Sequence, residues 1–298
     1  MTTVNNFPKL WLKLRRRFFH YLDFAIQKPD WMIMFCFSRI HLIRNMVQFI
    51  YKDKTLSNYE GNSVFEDIDV NQVVDSLKAE GIYLGINLPN HVLQEVIEFS
   101  KKLVYLGDGN PQYQFYINDK EKQEKKVGKN FITGYNFNIS ALCPIIKKLE
   151  SDPKLWLIAT KYFEKKPRKI RSKIWWTFAQ EKEFEERLKG FFNFHYDLED
   201  YWCLKFMFYL TNVDVYSSPH ICVKNSHKQK KLKHQLSLLR ETDDSDIVNY
   251  YGLENVLNIC EKAGFGFVED PFCFHKGTFP IQRDRLILEI KFTINNYE

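Results

Sequence analysis

The stretch FFNFHYDLEDYWCLKFMFYLT, residues 191–211, decides the fold expected for this chain. Apolar segments flank the polar LEDYW, a pattern that predicts a strand, a turn and a second strand. Side chains two positions apart on a strand point to the same face, about 7 Å apart along the backbone. His195 and Asp197 would therefore present an imidazole and a carboxylate side by side.

Such a pair is two-thirds of a 2-His-1-carboxylate triad, which holds Fe(II) without haem and leaves further coordination positions open. Standing alone, the His-x-Asp pattern is more simply a surface histidine beside a solvated acid. Residues elsewhere in the chain are needed to distinguish a metal site from a surface histidine.

Length and composition predict a globular protein with a large core. The chain has 298 residues, of which 45% are hydrophobic and 16% aromatic, with only 12 Gly and 10 Pro. This allows one large domain or two modest ones, and it argues against a disordered or fibrous chain.

The N-terminus and the cysteines favour a cytoplasmic protein. The first residues lack the basic-then-apolar order of a signal peptide, and the apolar run of residues 31–37 is too short to cross a bilayer. No Cys-x-x-Cys pair indicates a zinc site or a disulfide framework. The cysteines, expected to be reduced and mostly buried, are Cys36, Cys143, Cys203, Cys222, Cys260 and Cys273.

The net charge of +6 comes from the N-terminal part of the chain. Residues 1–55 contain ten Lys and Arg against three acids, and the remainder is close to neutral. Residues 8–54 show helical spacing of apolar residues, and Pro29-Asp30 divides them into two helices. We expect residues 1–60 to form a basic amphipathic helical extension that packs on the main domain; a membrane surface or a protein partner are the alternatives. No nucleic-acid motif accompanies the charge, so DNA and RNA are not expected partners.

The main domain, residues 61–298, is expected to contain helices first and strands afterwards. A helix over residues 68–77 ends at Gly81, and others begin near Pro89 and at Pro153. Residues 107–130 are interpreted as a loop with a solvated turn, and residues 224–246 as a solvated surface loop or a mobile lid. The β-rich segments are residues 82–86, 174–178, 191–195, 203–210, 220–223, 266–268 and 285–292. This order predicts an α+β fold with a double-sheet barrel.

The segment EDPFCFHKGTFPIQRDRLILEIKF, residues 269–292, supplies residues that could complete a site. His275 is expected at a strand end, where it could be a third metal ligand. Arg285 begins the next apolar strand, where a fixed guanidinium could bind a dicarboxylate bidentately. Arg283 lies near the same spacing and is the alternative.

These segments together resemble the phytanoyl-CoA dioxygenase family of Fe(II)/2-oxoglutarate oxygenases. The resemblance lies in His195-x-Asp197, in the run from His275 to Thr278 and in Arg285, with residues 204–228 similar to the family's strand, turn and His-Lys segment. It covers about residues 81–292 and leaves the N-terminal extension outside.

The resemblance implies a double-stranded β-helix core, a cupin-like jelly roll flanked by helices. It also implies Fe(II) held by His195, Asp197 and His275, with the distal carboxylate of 2-oxoglutarate held by Arg285. One departure concerns the small hydroxylic residue that the family has two positions after the arginine, because that position is Ile287 here.

Further polar residues are candidates for contact with the co-substrate or the substrate. Lys205 shares a strand face with Met207 and Tyr209, and if that face lines the barrel its ammonium needs a carboxylate partner. The alternative is an outward-facing lysine. Thr278, in the matched segment, is a candidate for binding the co-substrate. His220 and His227 are competing imidazoles.

The implied activity is that of a dioxygenase that uses O₂ and 2-oxoglutarate to hydroxylate an unactivated C–H bond, releasing succinate and CO₂. Asp197 disfavours halogenation, because related halogenases have Gly or Ala at this position to admit chloride. Desaturation, epimerisation and ring closure stay open, because they use the same oxidant.

Two other classes of protein stay open as well. One is a noncatalytic β-helix protein that binds a ligand or a partner, and the other is a cupin-like metal enzyme without 2-oxoglutarate. The substrate is expected to be a small molecule, free or linked to a lipid or carrier, and the basic residues of 224–240 favour an anionic one. The sequence does not indicate the oligomeric state.

Overall fold

The computed structural model describes residues 25–53, 61–137, 139–181, 192–237 and 239–297, together with residues 15, 19, 21–23 and 59. The start of the N-terminal helix and the domain boundary expected at residue 60 lie outside the described residues. No helix in the described part of the chain is both long and apolar enough to cross a membrane.

Several helices begin and end at residues whose chemistry suits those positions. Asp69 and Asp152 each accept hydrogen bonds from two backbone N–H groups in the first turn of the helix that follows. Gly81 ends its helix in the left-handed region, with a φ of 82°. The helices are α1 (Pro29–Phe37), α2 (His41–Tyr51), α3 (Val70–Glu80), α4 (Asn90–Ser100), α5 (Lys120–Val127), α6 (Pro144–Glu150), α7 (Pro153–Phe163), α8 (Leu232–Leu236) and α9 (Asp244–Tyr251).

The strands are concentrated in the second half of the chain. They are β1 (Ile82–Leu84), β2 (Val104–Gly107), β3 (Gln114–Tyr116), β4 (Thr133–Phe137), β5 (Lys169–Thr177), β6 (Phe194–His195), β7 (Cys203–Tyr209), β8 (His220–Val223), β9 (Glu241–Thr242), β10 (Val256–Ile259), β11 (Gly266–Glu269), β12 (His275–Gly277) and β13 (Arg285–Thr293).

These strands form two antiparallel sheets. The large sheet has the order β1-β11-β7-β13-β5-β4-β2-β3, and the small sheet has the order β10-β8-β12-β6-β9. From β5 onwards the chain passes repeatedly between the sheets, ending with β11 in the large one, β12 in the small one and β13 in the large one. This alternation is consistent with a double-stranded β-helix core flanked by helices.

The two faces of the large sheet differ in chemistry. On β13, Leu288 and Ile290 belong to the core that packs under α4, α6 and α7. Arg285 and Ile287 alternate with them and point to the opposite face. Ile287 packs there with Cys222 of the small sheet. The second face therefore lines the space between the sheets, where the candidate site lies.

Most expected elements are present, and the differences have physical reasons. Residues 107–130 hold β3 and α5 in place of the expected loop. Helix α5 is charged almost throughout, so it has no apolar periodicity; Lys120 instead pairs with Glu124 one turn away at 2.8 Å, and Gly128 ends the helix. Residues 224–246 likewise contain α8, β9 and the start of α9. All six cysteines are free, four of them buried, as expected.

Candidate metal and co-substrate site

Three side chains from distant parts of the sequence meet on the inner face of the small sheet. His275, at the start of β12, lies directly opposite His195 at the end of β6, and Asp197 follows two residues later. One ligand atom from each of the three lies within 4.8 Å of the others. The imidazole centroids are 4.6 Å apart, and His275 Nε2 lies 3.6 Å from an Asp197 carboxylate oxygen.

Main-chain carbonyls orient both imidazoles. In the tautomer that donates from Nδ1, His195 binds the carbonyl of Asn193 and His275 binds the carbonyl of Cys273, each at 3.0 Å. Each Nε2 then keeps a lone pair for a metal ion. Two imidazole nitrogens and one carboxylate oxygen at this separation fit a single divalent ion of the kind that facial triads bind.

The electrostatics of the three residues differ. Burial, together with the charge of His275, lowers the pKa of His195 to about 4. Burial also lowers the pKa of His275, but the carboxylates of Glu269 and Asp197 outweigh it and raise the pKa to about 9. Burial raises the pKa of Asp197, yet Lys205 and His275 hold it well below its usual range. Near neutral pH, a metal would therefore have to displace a proton only from His275.

Lys205 points into the space between the sheets and is paired with carboxylates of the chain itself. Its ammonium lies 2.5 Å from Asp197 Oδ2 and 2.9 Å from Glu199 Oε1. Lys291 binds the other carboxylate oxygen of Glu199. Of the two orientations considered for Lys205, the structure has the inward one, and the protein supplies the partner that a buried ammonium requires.

Arg285 is buried beside unpaired polar atoms. Its guanidinium donates to the carbonyl of Ser218 and, at 3.1 Å, to the hydroxyl of Thr177, while its Nε has no partner within the described part of the chain. The hydroxyls of Ser218 and Thr278 are also buried without a partner among these residues. A Cβ on Gly277 would lie 3.1 Å from Ser218 Oγ and 3.9 Å from Arg285 Nη2, so this glycine keeps the space open. A guanidinium beside a free hydroxyl fits a carboxylate ligand.

Arg283, the alternative by sequence spacing, has a different environment. Its side chain is 63% exposed and forms an ion pair with Asp214 at 2.7 Å. The structure thus separates the two arginines, because only Arg285 lies in the buried pocket.

Neither of the competing imidazoles joins the three candidate ligands. His220 binds Glu269 through Nε2 at 2.8 Å, and its ring lies 5.5 Å from the ring of His275. His227 packs on Gly81, where an added Cβ would lie 2.5 Å from its Nδ1. Among the described residues, the potential metal ligands that lie close enough together to hold one ion are His195, Asp197 and His275.

Three residues of the site were missed by reasoning from the sequence. Glu199 and Glu269 lie in short acidic runs that are typical of solvated turns. Glu269 lies directly opposite Lys205 in the pairing of β11 with β7, a register that no short stretch of the sequence indicates. Ser218 precedes β8 with a φ of 59°, which is uncommon for serine and not visible in the sequence.

A cleft of about 640 Å³ is lined by sequence neighbours of two candidate ligands, but by none of the three ligands themselves. Asn193, Lys276 and Thr278 line it, together with the edge-to-face pair Phe192 and Phe279. A larger cavity of about 760 Å³ lies between α1, α2 and the C-terminal segment and contains none of the three ligands.

Comparison with known proteins identifies solved structures that are similar to this chain. No protein-family profile matches the sequence. No curated protein matches it either. The non-haem 2-oxoglutarate-dependent epimerase SnoN from nogalamycin biosynthesis has a TM-score of 0.51 at 10% identity, over 75% of this chain and 83% of SnoN.

Two further solved structures are similar to a comparable extent. EvdO2 from Micromonospora carbonacea var. aurantiaca, complexed with 2-oxoglutarate, has a TM-score of 0.51 at 13% identity, over 78% of this chain and 93% of EvdO2. EctD from S. alaskensis, with 2-oxoglutarate and 5-hydroxyectoine, has a TM-score of 0.50 at 14% identity, over 81% of both chains. At these identities the similarity shows the fold alone: this chain shares the fold of SnoN, EvdO2 and EctD.

Proposed function

We propose that this protein is an Fe(II)/2-oxoglutarate-dependent oxygenase that hydroxylates a C–H bond of a small molecule. One observation carries the proposal: on this fold, two imidazole nitrogens and one carboxylate oxygen lie within 4.8 Å of one another. O₂ would be the second co-substrate, and succinate and CO₂ would leave with the oxidised product.

His195, Asp197 and His275 would hold the iron. Fe(II) in such a triad supplies the oxidative chemistry, since the remaining coordination positions are available to the co-substrates. The chain contributes geometry: the carbonyls of Asn193 and Cys273 hold the two Nδ1 atoms, so that both Nε2 atoms are directed to the metal once His275 has lost its second proton. Lys205 acts as a positioning residue, because its ammonium fixes one carboxylate oxygen of Asp197.

Arg285 would bind the distal carboxylate of 2-oxoglutarate. Its unpaired Nε and the unpaired hydroxyl of Ser218 are donors without another use in the described structure. The hydroxyl that the phytanoyl-CoA dioxygenase family has two positions after the arginine would thus come from the segment before β8, since Ile287 is buried in the core. Thr278 is a further donor for the same ligand or for the substrate in the cleft.

The cleft beside Asn193 and Thr278 would take the substrate. The basic residues that favoured an anionic substrate are largely neutralised, because Lys224 pairs with Glu80 while Lys231 and Lys233 pair with Asp246. The cleft is lined by Asp243, Asp244 and Lys276 as well as by neutral groups, so we propose a polar small molecule without an excess of negative charge. Hydroxylation is the reaction we favour; epimerisation, as in SnoN, would use the same residues.

The test is anaerobic loading with Fe(II), followed by air, 2-oxoglutarate and a panel of polar metabolites, with succinate as the product measured. We expect succinate formation that one class of metabolite accelerates. A protein that binds 2-oxoglutarate but forms no succinate with any metabolite would be a noncatalytic binding protein. A metal enzyme of another kind would neither bind 2-oxoglutarate nor be protected by it against thermal unfolding.

A further inference from the structure

Helix α2 is oriented with its apolar side outward. Its exposed residues at positions i, i+4, i+7 and i+8 are Leu42, Met46, Phe49 and Ile50, with side chains 61–84% exposed. An amphipathic helix packed on a globular core normally shows the reverse arrangement. The apolar stripe therefore has no counterpart in the described protein.

The inward side of α2 carries a buried arginine, and specific contacts hold it there. Arg44 is buried, donates to the carbonyl of Tyr201 and forms an ion pair with Asp270 at 3.2 Å. Its guanidinium also lies over the rings of Trp202 and Phe272. Turning the helix to bury its apolar side would leave a buried carboxylate without its partner, which is costly.

The apolar surface continues beyond α2. Ile33 and Phe37 of α1 are about half exposed, and Leu22 and Ile26 are exposed in the helical segment before it. Of the 22 large apolar side chains that are exposed in the described structure, ten lie in residues 19–51. A concentration of this kind on one segment marks an interaction surface.

The charge of the N-terminal segment indicates which kind of partner this apolar surface binds. Residues 1–55 carry ten basic residues against three acidic ones; of the five basic residues that the structure describes, Arg39 and Arg44 are buried and Lys52 pairs with Glu164. A second copy of the chain would carry the same positive surplus in this segment, whereas an anionic lipid surface complements it. We propose that the N-terminal helices dock this protein on an anionic membrane surface, with the stripe of Leu42, Met46, Phe49 and Ile50 inserted among the acyl chains. This docking does not depend on the chemistry of the candidate metal site.

The test is vesicle flotation of the full chain. Vesicles of phosphatidylcholine alone are compared with vesicles of equal parts phosphatidylcholine and phosphatidylglycerol. We expect binding to the anionic vesicles that weakens with added salt and is at least about tenfold weaker in the double variant Leu42→Glu/Phe49→Glu. The matched control is Leu142→Glu/Leu253→Glu, two exposed leucines elsewhere on the surface, which should bind as the wild type does.

Three outcomes would overturn the proposal. The wild type could fail to float with anionic vesicles, or the double variant could float equally well. The wild type could also be a dimer without vesicles that Leu42→Glu/Phe49→Glu converts to a monomer, which would assign the surface to a second copy. The single variant Phe49→Glu repeats each comparison, so the result does not depend on the folding of the double variant.

Discussion

His275 lies directly opposite His195 in the antiparallel pairing of β12 with β6, and the two imidazole rings are 4.6 Å apart. The residues are separated by 80 positions in the sequence. Strand register therefore assembles the candidate metal site, and a slip of one residue would turn one imidazole to the other face of the sheet. Asp197 joins them because the chain leaves β6 toward Pro271, whose carbonyl accepts from the Asp197 N–H at 2.8 Å.

Arg285→Gln should weaken 2-oxoglutarate binding by about tenfold to a hundredfold, because it removes a charged hydrogen-bond donor from a buried pocket. Metal affinity should not change, since the guanidinium does not contact His195, Asp197 or His275 in the described structure. Calorimetric titration of the metal-loaded protein with 2-oxoglutarate measures the difference. Arg283→Gln is the matched control, because Arg283 is exposed and pairs with Asp214. Equal losses in the two variants would remove Arg285 from its proposed role.

Ser218→Ala should weaken 2-oxoglutarate binding about threefold to tenfold, the effect of losing one neutral hydrogen bond. The hydroxyl is buried and unpaired among the described residues, so its removal leaves no other partner unsatisfied. Calorimetric titration of the metal-loaded protein with 2-oxoglutarate measures this loss of affinity. The control is Ser217→Ala, because the Ser217 hydroxyl already donates to Asp214 at 2.6 Å. Its affinity for 2-oxoglutarate should stay at the wild-type value. An unchanged affinity in Ser218→Ala would mean that the carboxylate binds elsewhere.

Lys205→Met should destabilise the apoprotein by about 2–3 kcal/mol, because it leaves Asp197 and Glu199 without their shared cation. The two carboxylates remain 25% and 28% exposed, so water offsets part of the loss. Urea unfolding of the wild type and the variant measures the difference in the free energy of unfolding. The control is Lys101→Met, which breaks an exposed pair with Glu98 and should cost less than about 1 kcal/mol. Similar costs for the two would show that the buried network does not stabilise the fold.

Lys230 should make stability rise with pH. Burial lowers its pKa from 10.5 to about 7, while its ammonium donates to the carbonyls of Ser226 and Phe272. Below the folded pKa the lysine is charged in both states, and the cost of burying it is fully present. Between about pH 7 and pH 10 the unfolded chain binds more protons than the folded one, so the free energy of unfolding increases.

Relative to Lys230→Met, the wild type should therefore gain on the order of 2 kcal/mol between about pH 6 and pH 9. Urea unfolding at both pH values measures the gain, and Lys228→Met, at an exposed position, should follow the wild type. A constant difference between the wild type and Lys230→Met across this range would contradict the lowered pKa.

The elements that sequence reasoning predicted well are those with local signals. The strand over residues 220–223 has the expected bounds and the helix after Asp152 begins where expected, because a short apolar run and an N-cap with a following proline act over a few residues. Helix α5 was missed because Lys120 and Glu124 stabilise it by charge, which leaves no apolar period to recognise.

The residues of the candidate site also divide into those that the sequence indicated and those that it did not. Strand periodicity paired His195 with Asp197, although β6 ends at His195 and the segment after it positions Asp197. His275 and Arg285 were suggested by their places at strand ends, and the resemblance to a family implied their roles. The roles of Glu199, Glu269 and Ser218 depend on which strands are neighbours and on one positive φ, and neither is encoded in a short stretch of sequence. The outward apolar face of α2 was also not foreseen, because the helical period gives the two sides of a helix but not which side the core takes.

The central claim is that His195, Asp197 and His275 hold one ferrous ion, and anaerobic titration of the apoprotein with Fe(II) tests it most directly. We expect one Fe(II) per chain in the wild type and in Asp244→Ala, whose carboxylate is exposed and paired with Lys276. Asp197→Ala should lose at least about a hundredfold in Fe(II) affinity, because it removes the only anionic ligand of the three. Equal Fe(II) binding by Asp197→Ala and the wild type, or no stoichiometric binding by either, would contradict the account.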